Sequence, residues 1–133
     1  MSDAQQSEDL LAKAERLIGR ARSAGADQAD ALVVRSRSRS ASVRNGQVEN
    51  TQSAESDDFS LWVFVGQKVA TVTAGQGADV DALAERAVAM ARVSPEDPHA
   101  CLADAEMLAS TWPDLDLFDP TEPSAESLIE AAT

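Results

Sequence analysis

Two tight-turn signals constrain this fold more than any other feature of the chain. Asn45-Gly46 and Gly66-Gln67 each separate two stretches rich in apolar or alternating residues. An Asn-Gly pair favours a type I′ hairpin turn because both central residues need positive φ, and a leading glycine favours type II′. We therefore predict two β-hairpins. In the first, Arg44, Val43 and Ala41 lie opposite Gln47, Val48 and Asn50, and in the second, Phe64 and Leu61 lie opposite Val69 and Val72.

Helical periodicity flanks the hairpins on both sides. Residues 7–24 place apolar side chains on one helix face, with Ser7 as candidate N-cap and Gly25 as candidate C′ residue. Residues 79–92 repeat this spacing behind a candidate N-cap, Asp79. Residues 29–39 read as a further strand, apolar on both faces at its start and therefore expected to be covered. The sequence thus predicts an α+β fold, a mostly antiparallel four- to five-stranded sheet covered by two helices.

The charge is distributed unevenly along the chain. Residues 1–93 hold 13 acidic residues and all 11 basic ones, whereas residues 94–133 hold 10 acidic residues and no Lys or Arg. We predict an α+β domain over residues 1–93 and an acidic extension over residues 94–133. Two interpretations of the extension stay open: a solvated tail, or a strap that packs on something outside this chain.

Within the acidic extension the structural signals are weak. We predict a short helix over residues 103–110, an extended stretch over residues 112–120, and a third helix that begins after Ser124. That helix reaches Thr133 without a stop signal. We therefore expect the extension to lead toward a C-terminal domain that this chain does not contain.

Composition excludes several classes of function. The net charge of −12 argues against a general nucleic-acid binder, which needs surplus Lys and Arg to neutralise phosphates. One Cys and one His exclude an internal disulfide and a multi-His zinc site on this chain alone. No apolar run is long enough for a membrane span, and the first residues show no secretory signal, so we expect a cytoplasmic protein.

A row of three arginines is the most conspicuous candidate for binding. Arg35, Arg37 and Arg39 alternate with serines and share one face of a regular strand. Three guanidinium groups on one face suit phosphate, carboxylate or an acidic partner protein. The same pattern also protects an exposed strand against edge-to-edge pairing. Both interpretations stay open, and these three residues are our predicted partner-binding site.

The remaining motifs do not form a catalytic or metal site. Gly75-Gln76-Gly77 precedes a helix but lacks the third glycine of a dinucleotide-binding loop. Asp114 and Asp116 alternate like calcium ligands, but the glycine of that loop is absent. His99 and Cys101 have no evident third group to orient them as a nucleophile pair. We therefore predict no catalytic residue and no metal ligand on this chain.

Several short stretches of the sequence, taken in order, resemble a known family. These are Ala29-Asp30-Ala31-Leu32-Val33, Ser42-Val43-Arg44-Asn45-Gly46-Gln47-Val48-Glu49, Leu61-Trp62-Val63-Phe64-Val65-Gly66, Ala87-Val88-Ala89-Met90-Ala91, Ser94-Pro95-Glu96-Asp97-Pro98 and Pro113-Asp114-Leu115-Asp116-Leu117-Phe118-Asp119-Pro120. Together they resemble the N-terminal domain of the TldD/TldE (PmbA) family, long described as modulators of DNA gyrase. The last two stretches look more like the TldE (PmbA) branch.

The resemblance implies a subunit of a cytosolic bacterial metalloprotease. In that family TldD and TldE form a heterodimer that degrades flexible peptides, matures the peptide antibiotic microcin B and removes an antitoxin. The zinc site, a His-Glu-x-x-x-His motif plus a cysteine, belongs to TldD and is absent from this chain. We therefore expect a noncatalytic domain that is inactive alone, carries no cofactor and acts with a TldD-like, zinc-bearing partner and a peptide substrate. The alternative is a standalone module that binds an anionic partner through its arginine row.

Overall fold

The computed structural model describes residues 3–75 and 77–133. A helix, α1 (Asp3–Ser23), is followed by strands β1 (Gln28–Arg44), β2 (Gln47–Val65) and β3 (Lys68–Gly75). Helix α2 (Val80–Val93), a 3₁₀ turn (Ala105–Met107) and helix α3 (Ala125–Ala132) complete the chain. The predicted α+β class is confirmed. None of the described helices is long and apolar enough to cross a membrane.

The sheet has three strands among the described residues, in the order β1-β2-β3, so the predicted count of four to five is wrong. The predicted strand at residues 29–39 and the first arm of the first hairpin form one strand, β1. The two inner hairpin arms likewise merge into β2. Neither strand contains a glycine or proline that would interrupt it, so each hairpin arm continues to the next turn.

Both hairpin turns adopt the predicted backbone. Asn45 and Gly46 have φ of 53° and 74°, as a type I′ turn requires. Gly66 has φ of 59° whereas Gln67 is not left-handed, which matches type II′. In the second hairpin, β2 pairs antiparallel with β3, and Leu61 lies opposite Val72 and Phe64 opposite Val69, as predicted.

By its internal contacts the chain divides into two compact units. The sheet–helix unit comprises the described parts of Met1–Arg35 and Ser56–Asp104, and the ribbon unit comprises Ser36–Glu55 and Ala105–Thr133. Strands β1 and β2 each contribute residues to both units. The boundary predicted at residue 93 and the acidic extension beyond it stay predictions.

The core of the sheet–helix unit lies between one face of the sheet and the two helices. Leu17 of α1, Leu61 and Val63 of β2 and Val88 of α2 are its largest fully buried side chains. The remaining members include Val72 and seven alanines, so the helices approach the sheet closely. On β1, Leu32 and Val34 are exposed, so the expectation that this strand is covered on both faces is wrong. Helices pack on one face of the sheet, and these two side chains belong to the other.

The ends of α1 and α2 are set by local hydrogen bonds. Ala26 N–H donates to Ala21 O and Gly25 N–H to Arg22 O, a Schellman motif that requires the positive φ of Gly25, 109°. The Asp79 carboxylate accepts from the N–H groups of residues 81 and 82, so the predicted cap of α2 is confirmed. The predicted N-cap at Ser7 is wrong, because Ala and Gln residues before it continue the helix toward its N-terminus.

The ribbon unit contains the two-stranded part of the sheet and α3. The Ser124 hydroxyl accepts from Ser127 N–H at 3.1 Å, so the predicted cap of α3 is confirmed. The helix predicted over residues 103–110 shortens to the 3₁₀ turn at Ala105–Met107. Residues 108–124 contain no helix or strand.

Candidate interaction surface

Arg35, the first residue of the arginine row, belongs to an ion-pair cluster in the sheet–helix unit. Arg35 donates from Nε to Asp57 Oδ1 at 2.7 Å and from Nη2 to Asp57 Oδ2 at 2.8 Å. Asp9 of α1 approaches the same guanidinium at 3.4 Å, and Lys13 Nζ lies 3.3 Å from Asp57 Oδ2. This arrangement links β1 and β2 to α1 through a two-point, charge-assisted contact.

The electrostatics of this cluster keep Arg35 and Asp57 ionised near neutral pH. Hydrogen bonds from Arg35, and secondarily from Lys13, hold the pKa of Asp57 well below its usual range. The bonds to Asp57 raise the pKa of Arg35 above its ordinary value. Neither group can therefore exchange a proton in the neutral range, and the cluster suits positioning better than acid–base chemistry.

The other two arginines contact the segment that leads into α3. Arg37 Nε lies 2.8 Å from Glu55 Oε1, and its Nη1 lies 3.4 Å from Glu122 Oε1. Arg39 donates to the carbonyl of Pro123 at 3.2 Å, with Glu122 Oε2 at 3.9 Å. An external anion would compete with these carboxylates of the same chain. Binding of a partner by Arg35, Arg37 and Arg39 stays a prediction.

A shallow cleft opens in the ribbon unit beside Arg39. It has a volume of about 330 Å³ and is lined by Arg39, Ser40, Thr51, Gln52, Ser53, Ala125 and Leu128. Its lining combines hydroxyl and amide side chains and the Arg39 guanidinium with apolar side chains of α3. Sequence reasoning missed residues 51–53, whose polar run gave no sign of a cleft. The sequence signal that could have indicated the cleft is the apolar Leu128 in the predicted third helix.

The outer edge of β2 is open along the ribbon unit. Strand β3 pairs only with residues 58–65 of β2, and among the described residues no strand lies on that side of residues 47–55. All nine of these residues are exposed. They include no proline, lysine or arginine, the residues that commonly block edge-to-edge pairing. This edge presents backbone donors and acceptors to an incoming extended chain.

The remaining sequence motifs do not assemble a site among the described residues. His99 and Cys101 adjoin in one turn, where Cys101 N–H donates to His99 O, and the Cys101 side chain is exposed. Asp114 accepts from Asp116 N–H at 3.0 Å and so shapes the local backbone. Within residues 3–75 and 77–133, no three His, Cys, Asp or Glu side chains group as metal ligands. Gln76, in the middle of the glycine-flanked motif, lies outside the described residues.

Comparison with known proteins assigns the family. Residues 29–91, which span most of the sheet and α2, match the family described as PmbA/TldA metallopeptidase domain 1. Over 110 residues the chain is 34 % identical to the protein named Metalloprotease PmbA from Escherichia coli O157:H7. That match covers 80 % of this chain but 24 % of the relative, so the chain spans about a quarter of the relative's length. The chain therefore belongs to the TldD/TldE (PmbA) family and contains its N-terminal domain.

Proposed function

We propose that this chain is a noncatalytic N-terminal domain of a TldE/PmbA-like subunit in a cytoplasmic, bacterial zinc metalloprotease. The observation that carries the proposal is the 34 % identity to Metalloprotease PmbA together with the family match over residues 29–91. With one His and one Cys, the chain supplies neither the two His nor the two Cys ligands that typical catalytic zinc sites contain. The zinc and the hydrolytic chemistry then belong to a TldD-like partner subunit, which cleaves flexible peptides such as antitoxins or microcin precursors.

In this proposal the domain contributes binding surface to the complex. The open edge of β2 at residues 47–55 offers main-chain hydrogen bonds to an extended peptide, and the adjacent cleft offers room for one of its side chains. Main-chain recognition tolerates many sequences, which suits a protease whose substrates share flexibility more than sequence.

The test is reconstitution with the TldD-like subunit encoded in the same genome. The two proteins are mixed, separated by size exclusion, and assayed for cleavage of an unfolded peptide such as casein. We expect a heteromeric complex, hydrolysis by preparations that contain the partner, and none by this chain alone. A chain that cleaves peptide by itself, or that forms no complex with the partner at micromolar concentrations, contradicts the proposal.

Two separate proline variants test the role of the β2 edge in that assay. Along a strand, successive N–H groups point to opposite edges, so one of Gln52→Pro and Ser53→Pro removes an outward donor and the other breaks a bond to β1. We expect one variant to keep its stability but bind peptide more weakly, and the other to lose stability. Unchanged peptide binding by the stable variant rules out this edge.

A further inference from the structure

An unusual number of large apolar side chains is exposed in one short segment of the ribbon unit. Six of them lie within residues 107–118, each between 62 % and 86 % exposed: Met107, Leu108, Trp112, Leu115, Leu117 and Phe118. No other stretch of similar length among the described residues concentrates so many. We call residues 107–119 the acidic–aromatic segment.

The composition of this segment does not fit a solvated linker. Chains that remain solvated are poor in aromatic and large aliphatic residues, because such side chains gain free energy by leaving water. The segment instead combines a tryptophan, a phenylalanine and three leucines with three aspartates. Exposed apolar side chains concentrated in one segment indicate a surface that another molecule covers.

The charge of the segment indicates what would cover it. Its aspartates, Asp114, Asp116 and Asp119, alternate with or flank the apolar side chains, and residues 94–133 contain no Lys or Arg. A complementary surface has an apolar groove to take the tryptophan, leucine and phenylalanine side chains and a rim of Lys or Arg to face the carboxylates. A second copy of this acidic chain is a poor match, because its net charge is −12.

We propose that the acidic–aromatic segment docks into an apolar, basic-rimmed groove on the catalytic partner subunit. This inference rests on the proposed function, which supplies the partner, and adds the surface by which the partner is held. Trp112 and Phe118 serve as aromatic anchors, since aromatic side chains dominate the energetics of interface cores. The aspartates then speed association and make it dependent on ionic strength.

The two tryptophans of this chain provide a direct test. The chain is labelled with 5-fluorotryptophan and titrated with the unlabelled TldD-like subunit, while ¹⁹F NMR follows Trp112, which is exposed, and Trp62, which is partly buried. A Trp62→Phe variant assigns the two signals. We expect the Trp112 resonance to shift and to lose its sensitivity to a soluble paramagnetic quencher, and the Trp62 resonance to change less.

Matched variants separate docking from folding. Leu115→Ser with Leu117→Ser should raise the dissociation constant at least tenfold. Leu11→Ser, at a leucine of α1 that is exposed about as much as Leu115, should leave it unchanged. Asp114→Asn with Asp116→Asn should weaken binding several-fold and reduce its dependence on salt. Circular dichroism of each variant should match that of the parent chain.

The outcomes distinguish this inference from the proposed function. A complex in which Trp112 stays accessible and the leucine variants bind normally overturns the inference and leaves the proposed function intact. Absence of any complex overturns both. Shielding of Trp112 by self-association, or within a longer product of the same gene without the partner, also overturns it, because the segment is then covered by its own chain.

Discussion

Replacement of Leu61 by alanine should destabilise the sheet–helix unit strongly. Leu61 has no exposed surface and lies on β2 opposite Val72, within the core formed by the sheet and both helices. The substitution removes three carbon groups, at about 0.8 kcal/mol each, or about 2.4 kcal/mol of transfer free energy. The cavity that remains raises the expected loss to about 3–4 kcal/mol.

Urea unfolding monitored by Trp62 fluorescence measures this loss. A Trp112→Phe background leaves Trp62 as the reporter, one residue from the substitution. Small proteins have urea m-values of about 1–3 kcal/mol/M, so the midpoint should fall by at least about 1 M. Leu117→Ala is the matched control, because this side chain is 86 % exposed and its loss should cost less than about 0.5 kcal/mol.

Two results would contradict the expected role of Leu61. If Leu61→Ala costs less than about 1 kcal/mol with an unchanged m-value, Leu61 is not part of a tightly packed core. If Leu117→Ala costs as much as Leu61→Ala, the exposed segment contributes to the fold of the isolated chain. The second result would also weaken the interpretation of residues 107–119 as a docking surface.

Three further predictions concern charge and backbone. Arg35 lowers the pKa of Asp57, so this carboxylate stabilises the fold fully above its unfolded pKa of about 3.9. The stabilisation is lost as the pH falls toward the lower pKa of the folded state. Asp57→Asn should therefore make the free energy of unfolding depend less on pH in the acid range. Gly25→Ala should destabilise the protein in thermal unfolding, since its φ is 109°, whereas Gly19→Ala, in open space within α1, should stabilise it by up to about 1 kcal/mol. Loss of the α2 cap in Asp79→Ala should cost about 1 kcal/mol by urea titration, and Asp79→Asn should retain most of it.

Local chemistry explains which parts of the fold the sequence predicts correctly. Asn45-Gly46 and Gly66-Gln67 determine their turns through backbone dihedrals that few residues adopt, and the register of the second hairpin follows from the turn length. The side chains of Asp79 and Ser124 cap their helices by accepting from N–H groups two or three residues further along the chain. Turns and caps can therefore be predicted from residues that are close together in the sequence.

The strand count and the contacts of the arginine row depend on the continuity of the backbone and on residues distant in sequence. The sequence assigns residues 51–58 to neither predicted hairpin, yet they form part of β2 because they contain no glycine or proline that would interrupt an extended backbone. The contacts of the arginine row also cross long separations in sequence. Arg35 pairs with Asp57, whereas Arg37 and Arg39 contact Glu122, 85 and 83 residues along the chain, and partner binding by these arginines stays a prediction. Residues that meet across such separations leave no periodic pattern.

We propose that this chain supplies binding surface to a metalloprotease whose zinc site belongs to another polypeptide. Purified chain is dialysed against zinc, measured for bound metal by mass spectrometry, and assayed with an unfolded peptide before and after addition of the TldD-like subunit. We expect no stoichiometric zinc on the isolated chain, no cleavage by it alone, and hydrolysis by the mixture. One tightly bound zinc per chain, with peptide cleavage in the absence of the partner, would contradict the proposal.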